Sequence, residues 1–406
     1  MASRDDFVFR KFADYYRTSL LNLHEPSRIR EREFGFITFG KAMMLRHKKF
    51  ETKKELESFL GSMVPSAAYH SSAYYERPQA EMDEKGWRGA DLVFDIDVDH
   101  IPTPCGKIHD RWTCSNCGFA GKGPTPERCP ACGEARFDAK TWTCDVCLET
   151  AKEETAKLLD FLMDDFGFAN DELNVYFSGN RGYHVHVERD RVRLLGSIAR
   201  KELVDYIIGL GLKTESHRLI DREGVVVGAD LTGWRRRIVR GIERFLEDAS
   251  AGEVGAQDLS KRSVESLMKN KEMLLENLKK RGRIDVKGVG PKNWEKIVHW
   301  VVDQQSAKID TVVTTDIHRL IRLAGSLHGK TGFMKVEAPL RGFDEFDPLK
   351  EAVAFKEGRA IVDVSEAPEF RIGDTVYGPF RNASSVELPT SAAVFLLCKG
   401  VAQVVA

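Results

Sequence analysis

The sequence predicts an α/β (α+β) fold: a mixed sheet core that carries an inserted cysteine module and a helical insertion. Three observations predict it. Stretches with strand character, 33–39, 91–99, 174–177 and 183–188, alternate with stretches of helical spacing, 1–27, 148–166 and most of 198–300. Seven of the eight cysteines lie between Cys105 and Cys147. The 406 residues allow two or three domains, and 42% hydrophobic residues suffice for a sizeable core.

In chain order, Phe9, Phe12, Tyr15 and Tyr16 stand near helical spacing and predict a helix over 1–27. Residues 28–54 hold nine basic residues (28, 30, 32, 41, 46, 48, 49, 53, 54) against three Glu (31, 33, 51), with the strand-like run Glu33–Phe39 inside. The segment 148–166 reads as a helix with Leu158, Leu159 and Phe161 on its apolar side. Within 198–300, Gly233–Arg240 forms a basic helical patch that suits either template phosphates or a solvated face. Val286–Trp294 resembles a helix-hairpin-helix turn, though a plain connection between helices explains it as well. Beyond 330, glycines and prolines punctuate short strands.

Charge narrows the function. The 61 Lys+Arg and 62 Asp+Glu leave a net charge of -1, which argues against coating nucleic acid by bulk charge but permits a local basic groove. No apolar run approaches the ~18 residues of a membrane span, and MASRDDFVFRKF lacks the apolar core of a signal peptide. A cytoplasmic protein without a membrane partner is expected.

The cysteines form three CxxC pairs: Cys114/Cys117, Cys129/Cys132 and Cys144/Cys147. Two thiolates two residues apart close on one tetrahedral Zn²⁺. Cys105 is left over, with His109 four residues on, so two complete sites need all eight groups. The expected pairing is Cys114, Cys117, Cys129 and Cys132 as a compact ribbon, and Cys105, His109, Cys144 and Cys147 as an outer site. His100 and Asp110 are alternative ligands. Four protein ligands leave no open position, so both zincs are read as structural.

Three further segments carry chemistry. In Asp91–Asp99, Phe94, Ile96 and Val98 alternate with Asp95, Asp97 and Asp99. Three like charges on one face call for a cation, and oxygen ligands suit Mg²⁺ or Mn²⁺; a solvated acidic edge strand would show the same alternation. In Tyr176–His186, a turn holding Gly179 and Gly182 separates two strands. Its amides, with Ser178, Arg181 and the histidines, can cradle phosphate, and an ordinary hairpin fits equally. In Ile309–Thr331, Thr315 is expected to cap a helix carrying Arg319 and Arg322 that ends near Gly325, with Ser326, His328 and Lys330 in a polar loop. Basic groups interspersed with donors suit a triphosphate, as they suit a basic surface helix.

Taken together, these segments resemble the catalytic (small) subunit of archaeal and eukaryotic DNA primase. Gly89–Asp97, Ser178–His184 and Asp310–Thr331 carry the resemblance, in order and with similar spacing, over about residues 10–335. It implies a primase-type mixed sheet with a catalytic core of 1–104, 148–197 and 301–406, a zinc module of 105–147 and a helical insertion of 198–300. Asp95, Asp97 and Asp310 match the family's metal-binding carboxylates. Ser178, Arg181 and His184, then Arg322 and His328, match contacts to the nucleotide's phosphates, and Arg32 and Arg46 match more loosely. The resemblance implies primer synthesis from nucleoside triphosphates on single-stranded DNA, alongside a large subunit that carries an iron–sulfur cluster. A related polymerase that extends existing ends in repair or lesion bypass is the alternative. The Cys114–Cys132 ribbon departs from the simplest members and reads as an insertion that helps hold template or the initiating nucleotide.

Overall fold

The computed structural model describes residues 4–19, 23–40, 43–212, 220, 224–226, 232–248, 259–281 and 283–405, and of His100 the backbone alone. Lys41 of the basic segment therefore lies outside the described residues, and so does the His100 side chain. The chain divides into two compact units. The first comprises Met1–Thr155, Asn170–Lys201 and Ile309–Ala406, and the second Ala156–Ala169 and Glu202–Lys308.

The first unit opens with α1 (Arg4–Thr18), β1 (Phe34–Ile37), β2 (Met44–Lys48), α2 (Lys53–Met63), β3 (Ala67–Ser71) and β4 (Leu92–Asp97). The cysteine module contributes β5 (Arg111–Cys114), β6 (Ala120–Lys122) and β7 (Phe137–Lys140). It is followed by α3 (Asp145–Asp160), β8 (Leu173–Phe177) and β9 (Gly182–Val187). The second unit holds α4 (Gly233–Asp248), α5 (Lys261–Lys269) and α6 (Pro291–Gln305). The first then resumes with α7 (Thr311–Thr315), β10 (Leu320–Arg322), β11 (Val336–Ala338), β12 (Arg359–Ala367), β13 (Phe380–Pro389), α8 (Thr390–Cys398) and β14 (Ala402–Val404).

Two four-stranded antiparallel sheets organise the first unit, β10-β3-β1-β2 and β11-β8-β9-β4, so the α/β (α+β) expectation holds. Alternation explains β4: Phe94 and Ile96 are fully buried, while Asp95 and Asp97 on the other face stay partly open. Each buried side chain of this kind contributes about 1.5–3 kcal/mol. Thr52 caps α2 by accepting from the Glu55 N–H at 3.2 Å, and Leu56 and Leu60 turn inward. Phe59 of α2 packs on Phe36 of β1, with ring centroids 4.9 Å apart. Helix α8 is apolar around its whole circumference, and Ala392–Leu397 are accordingly all buried.

The structure differs from the sequence expectation in four places. Helix α1 ends at Thr18, well short of residue 27; a helix reaching 27 would have had to take in Pro26, which has no N–H to donate. The acidic strand stops at Asp97, whose carboxylate accepts from the Asp99 N–H at 2.9 Å and turns the chain. The predicted helix bearing Arg319 and Arg322 is instead the five-residue α7 followed by strand β10. Asp310 rather than Thr315 is the cap, its carboxylate accepting from the Val312 N–H at 2.9 Å, and β10 pairs with Ser71–Tyr69 of β3. The inserted unit also takes in 156–169. There Arg236 and Arg237 of α4 turn to Asp164 and Asp165 at 2.8–3.3 Å, so these two basic residues are spent inside the unit. In the glycine-rich 286–290 turn, Ser263 and Ser266 hydroxyls donate to the Gly288 and Lys287 carbonyls, and Gly290 caps α6.

Candidate active site and metal-binding quartets

The two sheets of the first unit face one another across a cleft of about 170 Å³. Tyr69, Asp95, Asp97, Ser178, Asn180, His184, Arg319, Arg322 and His328 line it. The register of β4 on β9 sets His184 opposite Asp95 and Gly182 opposite Asp97. His184 Nε2 lies 3.4 Å from Asp95 Oδ1. Asp310 reaches the acids from the next element, its N–H donating to the Asp95 carbonyl at 2.8 Å. Burial, and then the neighbouring Asp97 and Asp310, push the Asp95 carboxyl up to about 7. Crowded carboxylates whose charge is this unfavourable form a set that a hard divalent cation would satisfy.

The turn after β8 brings backbone and side chains to the same cleft. The Ser178 N–H donates to the Gly182 carbonyl at 2.9 Å, and the Asn180 N–H to Ser178 Oγ at 3.3 Å. Gly182 is required where β9 meets β4, because a Cβ there would sit 1.9 Å from the Ile96 carbonyl oxygen. Gly179 adopts φ +86°, a left-handed conformation that glycine takes without strain. Among the described residues, His184 Nδ1 and Asn180 Oδ1 are buried with no hydrogen-bond partner, although buried polar groups are rarely left so.

The opposite wall is basic. Arg322 on β10 donates to Tyr69 Oη at 3.2 Å and to the Leu327 carbonyl at 3.4 Å. His328 Nδ1 accepts from the Lys330 N–H at 3.1 Å, which places its ring proton on Nε2. Burial, with Arg322 nearby, holds both His328 and His184 well below the usual imidazole range, so both rings are neutral near pH 7. A recess of about 590 Å³ shares Tyr69, Arg322 and His328 with the cleft and adds Thr38, Ser66 and Lys330. A roomier recess of about 770 Å³, beside Lys335 and Glu337, contains none of the three acids.

The cysteine module brings together the two quartets named from the sequence. The ligand atoms of Cys105, His109, Cys144 and Cys147 lie within 4.8 Å of one another, and so do those of Cys114, Cys117, Cys129 and Cys132. Gly118 and Gly133 donate to the Cys114 and Cys129 carbonyls at 3.0 and 2.9 Å, closing two matching knuckles. In the outer quartet, Cys105 Sγ is 3.3 Å from Cys147 Sγ, and His109 Nε2 is 3.3 Å from Cys144 Sγ. A hydrogen bond from Cys147, with His109 close by, draws the Cys144 thiol down to about 4. Thiolate and imidazole donors at tetrahedral-edge spacing fit Zn²⁺. Asp110 is not in either quartet: its Oδ1 pairs with His109 Nδ1 at 2.8 Å, an outer partner to the ligand.

Three residues assigned to phosphate by resemblance lie elsewhere. Arg32 is fully buried, paired with Asp91 at 2.6 Å and donating to the Ser71 carbonyl at 2.7 Å. Arg46 holds the buried Glu33 with two bonds of 3.0 and 3.2 Å. Arg181 points away from the cleft, bound to Asp99 and, at 2.8 Å, to Asp110. In each case a buried carboxylate competes for the guanidinium and wins, because an unpaired buried charge costs more than either group's exposure to water returns. Arg319, named from the sequence beside Arg322, lines the cleft, and Tyr69 and Asn180 line it without having been singled out for it. Arg319 was legible as a basic residue near Arg322, whereas Tyr69 carries no sequence signal.

Comparisons with known proteins identify the family. The family model described as DNA primase small subunit matches residues 137–341. The chain is 32% identical to the DNA primase small subunit PriS of Cenarchaeum symbiosum over 400 residues, covering 96% of both chains. It is 33% identical to PriS of Methanocella arvoryzae, covering 97% of both. PriS of Methanothrix thermoacetophila is also 33% identical, with 98% of both covered. Among solved structures, the polymerase domain of Mycobacterium tuberculosis ligase D in complex with DNA aligns at 10% identity and a TM-score of 0.31, over 86% of this chain and 84% of that one. Near-complete coverage at more than 30% identity places the chain in the DNA primase small subunit family.

Proposed function

We propose that this chain is the catalytic subunit of a DNA primase. It starts short primers from nucleoside triphosphates on single-stranded DNA. The observation that carries this reading is the cleft itself, where Asp95 and Asp97, with Asp310 bonded beside them, face Ser178, His184, Arg322 and His328. Divalent Mg²⁺ or Mn²⁺ held by the three acids would lower the pKa of a primer 3′-hydroxyl and offset charge on the departing pyrophosphate. The protein's own contribution is placement. Arg322 supplies a fixed guanidinium, His328 a neutral Nε2–H donor and Ser178 its hydroxyl, groups that would meet phosphate oxygens. The recess that adds Lys330 gives a triphosphate room beyond the acids.

The wider setting belongs to the same proposal. The module's quartets hold structural zinc. A larger regulatory subunit carries the iron–sulfur cluster, because Cys398 is the only cysteine here outside the two quartets. The enzyme works on the cell's DNA in the cytoplasm. Incubation with unprimed single-stranded DNA and labelled nucleotides tests the reading. Dinucleotides and short primers are expected, and Asp95→Asn should abolish them with template binding retained. Extension of a supplied end without dinucleotide formation would instead identify a repair polymerase.

A further inference from the structure

Arg181 stands in the phosphate-facing turn, yet its side chain, 2% exposed, runs back into the cysteine module. Its guanidinium binds Asp99, Asp110 Oδ2 at 2.8 Å and the Trp142 carbonyl at 3.2 Å. The second oxygen of Asp110 is engaged as well. It lies 2.8 Å from His109 Nδ1 and accepts from the Trp142 N–H at 2.9 Å. His109 Nε2 in turn faces Cys144 and Cys147 at 3.3 and 3.6 Å. One carboxylate therefore joins a zinc-ligand histidine to an arginine of the turn. At the far end, Asp99 follows the acidic strand and donates its N–H to Asp97 Oδ1 at 2.9 Å. The chain of contacts runs from the outer quartet through His109, Asp110 and Arg181 to Asp99 and Asp97.

We infer that Asp110 is a positioning residue, through which metal bound at Cys105, His109, Cys144 and Cys147 holds the Ser178–Gly182 turn and the end of the acidic strand in register for the nucleotide. The physical basis is rigidity. A carboxylate fixed at both oxygens cannot rotate, and a buried guanidinium with three acceptors has one orientation. An empty quartet removes the metal's hold on His109 Nε2 and so weakens one of the restraints on Asp110, and through it on Arg181. Outer partners of metal ligands commonly change affinity or activity 10- to 100-fold when replaced. The inference rests on the primase reading for the word nucleotide, but not for the coupling.

The test compares the intact chain with Asp110→Asn, Arg181→Gln and the double variant, all in zinc-containing buffer. Metal content and melting temperature check that each variant is folded and loaded. Hydrogen–deuterium exchange at 178–182 then reads the turn directly, and titration with a non-hydrolysable nucleoside triphosphate reads its use. Asp110→Asn is expected to speed exchange of the turn and weaken nucleotide binding about tenfold with zinc retained, and kcat should change less than KM. The double variant should be no worse than the more affected single one, because both break one chain of contacts. Asp110→Glu should recover part of the loss, which a general packing defect would not allow. Unchanged exchange at 178–182 in Asp110→Asn, or fully additive losses, would overturn the coupling. Faster exchange in a chain whose wild type binds no nucleotide would sink the primase reading and leave the coupling standing.

Discussion

Asp95 sits in the cleft buried among like charges, and its behaviour follows from that. A carboxyl raised from 3.8 to about 7 binds its proton more tightly in the folded chain than in the unfolded one. Between about pH 4 and 7 the metal-free native state therefore holds the extra proton, and stability falls as pH rises through that window. The full shift corresponds to at most about 4 kcal/mol. Melting curves of metal-stripped protein at pH 5 and pH 8 should show the drop, and Asp95→Asn should flatten it while raising stability at pH 8. Divalent-ion binding should strengthen over the same range as the proton leaves. Arg32 makes a contrasting residue-scale case. Burial disfavours its charge, but Asp91 at 2.6 Å holds the guanidinium protonated. Arg32→Met leaves Asp91 buried without its partner, and should cost about 3–5 kcal/mol in urea denaturation, the range for breaking one side of a buried pair. An intact fold with a raised nucleotide KM would return Arg32 to phosphate binding.

At the level of elements, the cleft depends on one strand pairing. Gly182 lets β9 close on β4, so Gly182→Ala is expected to break the Asp97 register and remove activity along with several kcal/mol of stability. Soluble expression and the midpoint of chemical denaturation would show this; a fully stable variant would mean the strands tolerate separation. The contrast between strand and helix also shows what the residue pattern could convey. Asp95 and Asp97 were legible because alternation with Phe94 and Ile96 is a local property of an extended chain. Arg322 was assigned to a helix capped by Thr315 and ending near Gly325. Pairing of Leu320–Arg322 with Ser71–Tyr69 of β3 overrode that, and the β-branched Ile321 suits the strand. The second quartet was legible for a similar reason: both knuckles are local five-residue turns, Cys114–Gly118 and Cys129–Gly133, ending in glycine at φ +75° and +77°.

For the whole molecule, near-neutral charge is reached by spatial sorting of opposite signs. Carboxylates collect at Asp95, Asp97 and Asp310, while Arg319, Arg322 and Lys330 stand across the same cleft and its recess. Several arginines that would otherwise extend a basic surface, Arg32, Arg181, Arg236 and Arg237, are committed to carboxylates. The isolated chain should accordingly grip single-stranded DNA weakly. If about four phosphates are contacted, affinity should drop about 50-fold between 50 and 200 mM salt. Fluorescence anisotropy at three salt concentrations measures the slope, and tight, salt-insensitive binding would contradict it.

Sequence alone determined the elements that local rules control: the acidic strand, the glycine turn, the cysteine knuckles and the order in which they follow one another. It determined the family as well, since those motifs keep their order along the chain. Tertiary structure alone decided which arginines line the cleft and which are locked in the interior. Arg181 and Arg322 look alike in a sequence. One lies 2.8 Å from Asp110, seventy-one residues away, while the other lines a cleft. A side chain's charge is written in its residue type, but the partner that claims it is set by distances between remote segments, and those exist only once the sheets have packed.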